Sequence, residues 1–483
     1  MTGAEDPILA AWERTCGNYS DRAAVFDAQG KVTRTFLEIE ERAQQLADEL
    51  VAIVPGQVFA IQIGNHPDWP SLFLACLRKK IVVLPLEQTI TQEQREIAFR
   101  LCQVTGFASL PSRAKLEGCR CAIFRVSSTG SAGFPSDDRD VGSPDWQERQ
   151  PSLLKLTSGT TAAPRAVRFR SEQLLADCDN ICETMGITER DLNFGVIPIS
   201  HSYGFSNLLT PLIARGVSLA LSSDRMPRAM IDGLAASNST VFPGMPVFYQ
   251  SFCEMDEPPP LPNLRLCISA GAPLSVEIAQ AFREKFQREI HSFYGASECG
   301  GICYVREAQF ISGFVGEPMS GVVLELVDSE NSTSRIRVRS RAVADGYFPY
   351  PEDNKLGHGI FVPDDLLEKT GSGYRIVGRS SDLINVAGKK VHPAEVEAEI
   401  LRYAGVREAV VFGRQSERRN QEIAACVVAE GVSERELLSH CRARLSSWQV
   451  PRRIYFLGAI PVNERGKTSR RELASRFPAE LST

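Results

Sequence analysis

The chain has 483 residues, 43% hydrophobic and 23% charged, with a formal net charge of −5. That length exceeds what one hydrophobic core supports, so at least two domains are expected, and the composition is ordinary for a globular protein. Lys and Arg are scattered, which excludes a basic stripe for nucleic acid or anionic lipid, and no apolar run is long enough for a membrane span. The start, Met1 to Asp6, has neither the basic residues nor the apolar stretch of a secretion signal, so a cytoplasmic location is expected.

From about residue 20 to 125, short β-branched runs alternate with amphipathic segments, Phe36 to Leu50 and Trp69 to Leu77, the pattern of a layered α/β domain. Ser127 to Gln150 is rich in Ser, Gly, Pro and Asp and reads as a surface loop. It delivers the chain into Leu156-Thr157-Ser158-Gly159-Thr160-Thr161-Ala162-Ala163-Pro164-Arg165-Ala166-Val167. Small residues let main-chain N–H groups approach phosphate oxygens, hydroxyls add donors, and a cation offsets the charge. A Ser/Thr/Gly loop by itself is more often a solvated turn. Glu254 to Pro262 is another loop, and Leu266 to Pro273 reads as a buried strand and tight turn.

The last hundred residues read as a separate α+β unit. His392-Pro393 with Val396, Ile400 and Leu401, closed by Gly405, predicts a helix. Ser433 and Glu436 form a capping box for a second helix carrying Leu437, Leu438, Cys441 and Leu445, and Ala409 to Phe412 and Ile423 to Val428 read as strands. The thirteen cysteines, among them Cys119, Cys121, Cys178, Cys182, Cys299 and Cys303, never form paired CxxC sets. With six dispersed histidines they predict reduced thiols, not a metal centre.

The loop at 157–167 resembles the phosphate-binding signature of the adenylate-forming superfamily, which includes acyl-CoA and aryl-CoA synthetases, luciferases and adenylation domains. Four further motifs follow in that family's order: Ile199-Ser200-His201-Ser202-Tyr203-Gly204-Phe205, Tyr294-Gly295-Ala296-Ser297-Glu298, Gly378-Arg379-Ser380-Ser381-Asp382 leading to Gly388, and Arg465-Gly466-Lys467-Thr468-Ser469-Arg470. Tyr19 to Ala24 and Val58 to Asn65 are similar to its opening strands, so the likeness covers nearly the whole chain.

The resemblance implies a large layered α/β N-terminal domain over 1–378, with two packed sheets flanked by helices and a small β-barrel-like subdomain. A hinge at 379–382 and a small mobile α+β lid at 383–483 would complete the fold. It implies ATP-dependent conversion of a carboxylic acid to an acyl-adenylate, then transfer to CoA or to the phosphopantetheine of an acyl carrier protein. Thr157, Ser158, Gly159, Thr160, Thr161 and Arg165 would hold the phosphates, with Glu298 and Thr160 on Mg2+. Tyr294, Gly295 and Ser297, with Gly271, Ala272 and Pro273, would line the adenine site. In Asp364-Asp365, Asp365 stands in the place of a ribose-binding aspartate, with Arg379 as a further contact. Lys467 would bridge the carboxylate and the α-phosphate, and His201 would abut the acyl site. Tyr203, Phe205, Asn207, Phe293 and Cys299 would wall a mostly apolar acyl pocket. Gly295, in place of the bulky aromatic of acetate-restricted relatives, implies an acid longer than acetate. Ser381 would be the hinge point and Gly388 would face the acceptor thiol.

Ala162 and Ala166 replace glycines common in the family, Arg165 replaces a lysine, and Ser381 stands where aspartate or lysine is frequent. These departures keep two alternatives open: transfer to a carrier protein or an amine, and an adenylate-binding module without turnover.

Overall fold

The computed structural model describes residues 5–110, 122–125, 143–146, 149–157, 165–330, 333–349, 355–386, 388–416, 420–461 and 468–478. By contacts the chain divides into two compact units, Met1–Glu325 with Arg337–Val362, and Leu326–Ile336 with Pro363–Thr483. The hairpin at 365–379, which the sequence reading groups with the large domain, is thus compact with the C-terminal residues.

The first unit holds two sheets. In one of seven strands the order is Gly346–Phe348, Arg165–Phe169, Leu153–Thr157, Val82–Pro85, Val58–Gln62, Val104–Ser109 and Ala122–Arg125. Its strands run parallel from Leu153–Thr157 onward, and the two at the other end are antiparallel. Val58–Gln62 is buried at every position, so Val58 to Ile61 reads as a continuous apolar run and not as an alternation. In the other sheet Ala23–Asp27, Ser218–Leu221, Leu192–Gly195, Val241–Gly244, Leu266–Ser269 and Ile290–Ala296 lie side by side and parallel. Antiparallel Gly300–Tyr304 and Phe314–Pro318 extend it. The expected barrel-like part is an open antiparallel group of strands, and among the described residues it closes into no barrel.

Helices cover the sheets. Phe36–Glu49 forms as expected, capped by Thr35 with Glu38 in a capping box. Trp69–Arg78 differs from expectation: nine of its ten residues are buried, so it is an interior helix and not an amphipathic one. Within the predicted surface loop 127–150, Trp146 turns inward, its ring 5.0 Å from Phe348 and its Nε1 donating to the Gly56 carbonyl at 2.6 Å. One large aromatic in a polar stretch was signal enough to anchor it, since burying such a ring is worth about 2 kcal/mol or more.

In the second unit the two predicted helices form as Pro393–Leu401 and Glu434–Arg444, the latter with the Ser433–Glu436 capping box. The predicted strands run longer, Val406–Ser416 and Asn420–Ala429, because they pair with each other along most of their length. Arg470 ties the unit together, donating to Asp382 at 2.9 Å, to Glu397 at 2.8 Å and to the Val411 carbonyl at 2.9 Å. Among the described residues no helix is long and apolar enough to cross a membrane.

Candidate active site

Strands Leu153–Thr157 and Arg165–Phe169 pair antiparallel with Thr157 opposite Arg165, and the Thr157 hydroxyl donates to the Arg165 carbonyl at 3.2 Å. The intervening loop residues, Ser158, Gly159, Thr160, Thr161, Ala162, Ala163 and Pro164, lie outside the described residues, as does Lys467. The base of the loop is therefore on view, and its surroundings are informative. The Arg165 guanidinium carbon sits 4.1 Å from the ring centroid of Tyr347, and the Tyr347 hydroxyl donates to Glu298 Oε1 at 3.1 Å. Tyr347 reaches both because Gly346–Phe348 is the strand paired with Arg165–Phe169, Tyr347 facing Val167. A chain of contacts thus joins the foot of the predicted phosphate loop to the predicted metal ligand.

Glu298 lies in the turn between Ile290–Ala296 and Gly300–Tyr304, and its own carbonyl accepts from Ala344 at 3.0 Å. The turn is fixed from a second side by the Ser202 hydroxyl, which donates to Ser297 Oγ at 3.1 Å. This bond brings together the motifs containing His201 and Glu298. His201 caps the short helix Ser202–Gly204, its Nδ1 accepting from the Tyr203 N–H at 3.2 Å. That acceptor role puts the ring proton of a neutral imidazole on Nε2.

The helical segment continues through a π turn, Phe205–Leu209, and its residues divide between two environments. Tyr203 packs on Phe293 with ring centroids 5.7 Å apart, and burial holds its hydroxyl protonated. Asn207 donates to the Tyr203 carbonyl at 3.1 Å. Phe205 is fully buried on the other side, edge-on to Phe73 at 5.2 Å. Cys299 is fully buried, and that burial pushes its thiol well above the ordinary range.

Gly271, Ala272 and Pro273 are exposed beyond the carboxyl end of Leu266–Ser269, the edge of a parallel sheet at which α/β folds bind ligands. Gly271 has φ +88°, which explains a glycine at this turn. Ser269 pairs with Ser292, so Tyr294 emerges at the same edge. Gly295 has a packing cause of its own: a Cβ there would stand 2.6 Å from the Gly300 carbonyl oxygen across the hairpin. The glycine is required by that close approach whatever the acyl chain, a reason that chain-length reasoning from sequence did not contain.

In the second unit Asp365 and Arg379 face each other across the hairpin, and Arg379 Nε donates to Asp365 Oδ1 at 3.0 Å. Asp364 is used by its carbonyl, which accepts from the Ser380 N–H at 2.7 Å. Ser381 lies in a 3-10 turn, Ser380–Asp382. Gly388 has φ +87° and its N–H donates to Asn385 Oδ1 at 2.9 Å, closing a tight turn between two short strands.

Residues 12–348 match the model of the AMP-binding enzyme family, and 395–467 match the AMP-binding enzyme C-terminal domain. The chain belongs to the AMP-binding enzyme family. It is 26% identical to an oxalate–CoA ligase of Arabidopsis thaliana, covering 98% of this chain and 99% of the relative. It is also 26% identical to a feruloyl-CoA synthase of an Amycolatopsis species, covering 97% and 99%. ATP-bound MatB from Rhodopseudomonas palustris shares the fold at TM-score 0.84 and 22% identity, covering 96% of this chain and 98% of that one. The amide bond synthetase McbA from Marinactinospora thermotolerans does so at TM-score 0.82 and 22% identity, covering 98% and 100%. As an AMP-binding enzyme whose full-length relatives are CoA ligases, the chain is an acid-activating, ATP-dependent ligase of the adenylate-forming superfamily.

Three residues beside these motifs escaped the sequence reading. Tyr347 was legible only as an aromatic after a glycine, Gly346. Lys155 was legible as a lone cation among Leu153, Leu154 and Leu156, and Asp177 had no distinguishing signal on its helix. Tyr347→Phe keeps the ring beneath Arg165 and deletes one hydrogen bond to Glu298, a loss of about 1 kcal/mol. It should raise KM for Mg-ATP roughly fivefold while KM for the acid stays put, which initial-rate kinetics with each substrate varied would check.

Proposed function

We propose that this enzyme converts a carboxylic acid larger than acetate to its acyl-adenylate, releasing pyrophosphate, and then passes the acyl group to the thiol of CoA. The observation that carries the reading is the Arg165–Tyr347–Glu298 chain, which joins the foot of the phosphate loop to a carboxylate. A carboxylate oxygen is a poor leaving group; transfer of AMP onto it makes a mixed anhydride that a thiol can attack.

In this reading Thr157, Ser158, Gly159, Thr160 and Thr161 cradle the phosphates through N–H and hydroxyl groups, and Arg165 offsets their charge. Tyr294 stacks on adenine opposite Gly271, Ala272 and Pro273, and Asp365 accepts from the ribose hydroxyls, steadied by Arg379. Lys467 places its ammonium where charge builds between the attacking carboxylate and the α-phosphate. Tyr203, Asn207 and Phe293 wall the acyl pocket, with His201 at its mouth and Phe205 and Cys299 behind.

The donor set suits Mg2+: Glu298 supplies a hard oxygen, and among the described residues no group of three His, Cys, Asp or Glu forms a cage. A magnesium ion is commonly held in this way, by one carboxylate together with substrate phosphates. Glu298 and Thr160 would hold it, and when bound it neutralises phosphate charge. The two-domain reading, with 379–382 as the hinge, belongs to the same proposal, as does a reducing cytoplasmic setting, supported by buried thiols such as Cys76, Cys178 and Cys303.

Acetate, hexanoate and benzoate, each supplied with ATP in the presence and absence of CoA, test this directly. We expect a CoA thioester, formed with higher kcat/KM from hexanoate or benzoate than from acetate. A preference for acetate would remove the size assignment. Adenylate formation without any thioester would move the acceptor to a carrier protein or an amine.

A further inference from the structure

The strand that leads into the phosphate loop carries a buried cation. Lys155 is only 5% exposed, and its ammonium lies 4.6 Å from the ring centroid of Phe169 and 5.5 Å from that of Phe205. Ring faces of this kind attract a desolvated cation. Burial pushes the ammonium's pKa down, and attraction to Asp177 first, then to Cys299 and Glu298, works against that. Asp177, on the helix Ser171–Met185, is equally buried. Its Oδ1 accepts from the Gly301 N–H at 2.9 Å. A Cβ on Gly300, whose φ is +70°, would lie 2.0 Å from that same oxygen, so the carboxylate fills a cradle that only a glycine leaves open.

Glu298, Cys299, Gly300 and Gly301 are consecutive. The carboxylate that grips Gly301 therefore fixes one end of the turn bearing Glu298, while Tyr347 and Ala344 hold Glu298 itself. Lys155 is two residues before Thr157, at the foot of the phosphate loop. The buried carboxylate thus grips the turn that bears Glu298, and the buried cation lies on the strand that leads into the predicted phosphate loop.

We propose that Lys155 and Asp177 are positioning residues: together they set the turn at 298–301 against the phosphate-loop strand and so hold Glu298 where a phosphate-bound cation can use it. This rests on the reading of Glu298 as the metal ligand. Neither residue touches the reacting atoms. Burial pushes the Asp177 carboxyl up and the charge of Lys155 works against that, favouring the ionised form that accepts most strongly from the Gly301 N–H. Without Lys155, a lone buried carboxylate takes up a proton or draws in water, and its grip on the turn loosens.

The test is a double-mutant cycle on the full-length enzyme, read as KM for Mg-ATP and KM for the acid in acid-dependent pyrophosphate exchange. Lys155→Met and Asp177→Asn each leave one buried charge unmatched and should raise KM for Mg-ATP about tenfold, with KM for the acid within about twofold of wild type. The pair Lys155→Met/Asp177→Asn buries no charge and keeps an amide oxygen for Gly301, so it should recover most of the loss. If Lys155→Met alone does not fold, Asp177→Asn and the pair still form the comparison. Losses that add, or a KM for Mg-ATP that stays within twofold in both single variants, overturn the proposal. Glu298→Gln is measured in parallel. If it loses exchange while the cycle shows no coupling, the positioning role alone fails. If it keeps exchange, the metal-ligand reading fails and this proposal with it.

Discussion

Glu298→Gln is expected to lower acid-dependent ATP–pyrophosphate exchange by roughly 10²–10³-fold, the usual cost of removing one preorganised electrostatic contact to a charge-developing transition state. The substitution is close to isosteric. Glutamine keeps an oxygen for the Tyr347 hydroxyl, which lies 3.1 Å from Glu298 Oε1, and it leaves the Glu298 carbonyl free to accept from Ala344. The turn therefore stays in place and only the negative charge goes. The thermal midpoint should move little, because a half-buried carboxylate at the site contributes little to the core. An exchange rate within about threefold of wild type, in protein with an unchanged midpoint, would remove the metal-ligand role.

The second large effect separates the two half-reactions. Lys467 and Gly388 both fall in the C-terminal unit, one assigned to making the adenylate and the other to the thiol side. Lys467→Ala should abolish pyrophosphate exchange, by about 10²-fold or more, yet retain thioester formation from a supplied acyl-adenylate. Ser381→Pro should do the opposite. Proline fixes φ within the 3-10 turn Ser380–Asp382 and hinders a rotation there, while sparing the first step if the adenylating pose is the one kept. Quenched-flow measurement of each half-reaction checks both variants. Equal loss of both steps in both folded variants would remove the two-pose mechanism.

The legible parts of the fold were those in which one local rule acts alone. The capping box at Ser433 and Glu436, the proline start at Pro393 and the apolar strand at Val58 each follow from a few neighbouring residues. Trp69–Arg78 was misjudged as amphipathic because layers on both sides bury it, a fact set by distant sequence. The site divides in the same way. Asp365 with Arg379, and Glu298 with the His201 motif, were named from their motifs, and the structure brings Asp365 to Arg379 and Ser297 to Ser202. Tyr347 and Asp177 make contacts across 49 residues to Glu298 and 124 residues to Gly301, and no local pattern records such contacts. Gly295 shows the converse, since its packing against Gly300 was invisible while its absent side chain was plain.

Acid-dependent ATP–pyrophosphate exchange by the wild-type enzyme tests the central claim most directly. With radiolabelled pyrophosphate, Mg2+ and a panel of carboxylic acids, label should appear in ATP only when an acid is present, most strongly for an acid larger than acetate, and without any need for CoA. Absence of acid-dependent label across the panel, in folded protein that still binds ATP, would contradict the account and leave a nucleotide-binding module without turnover.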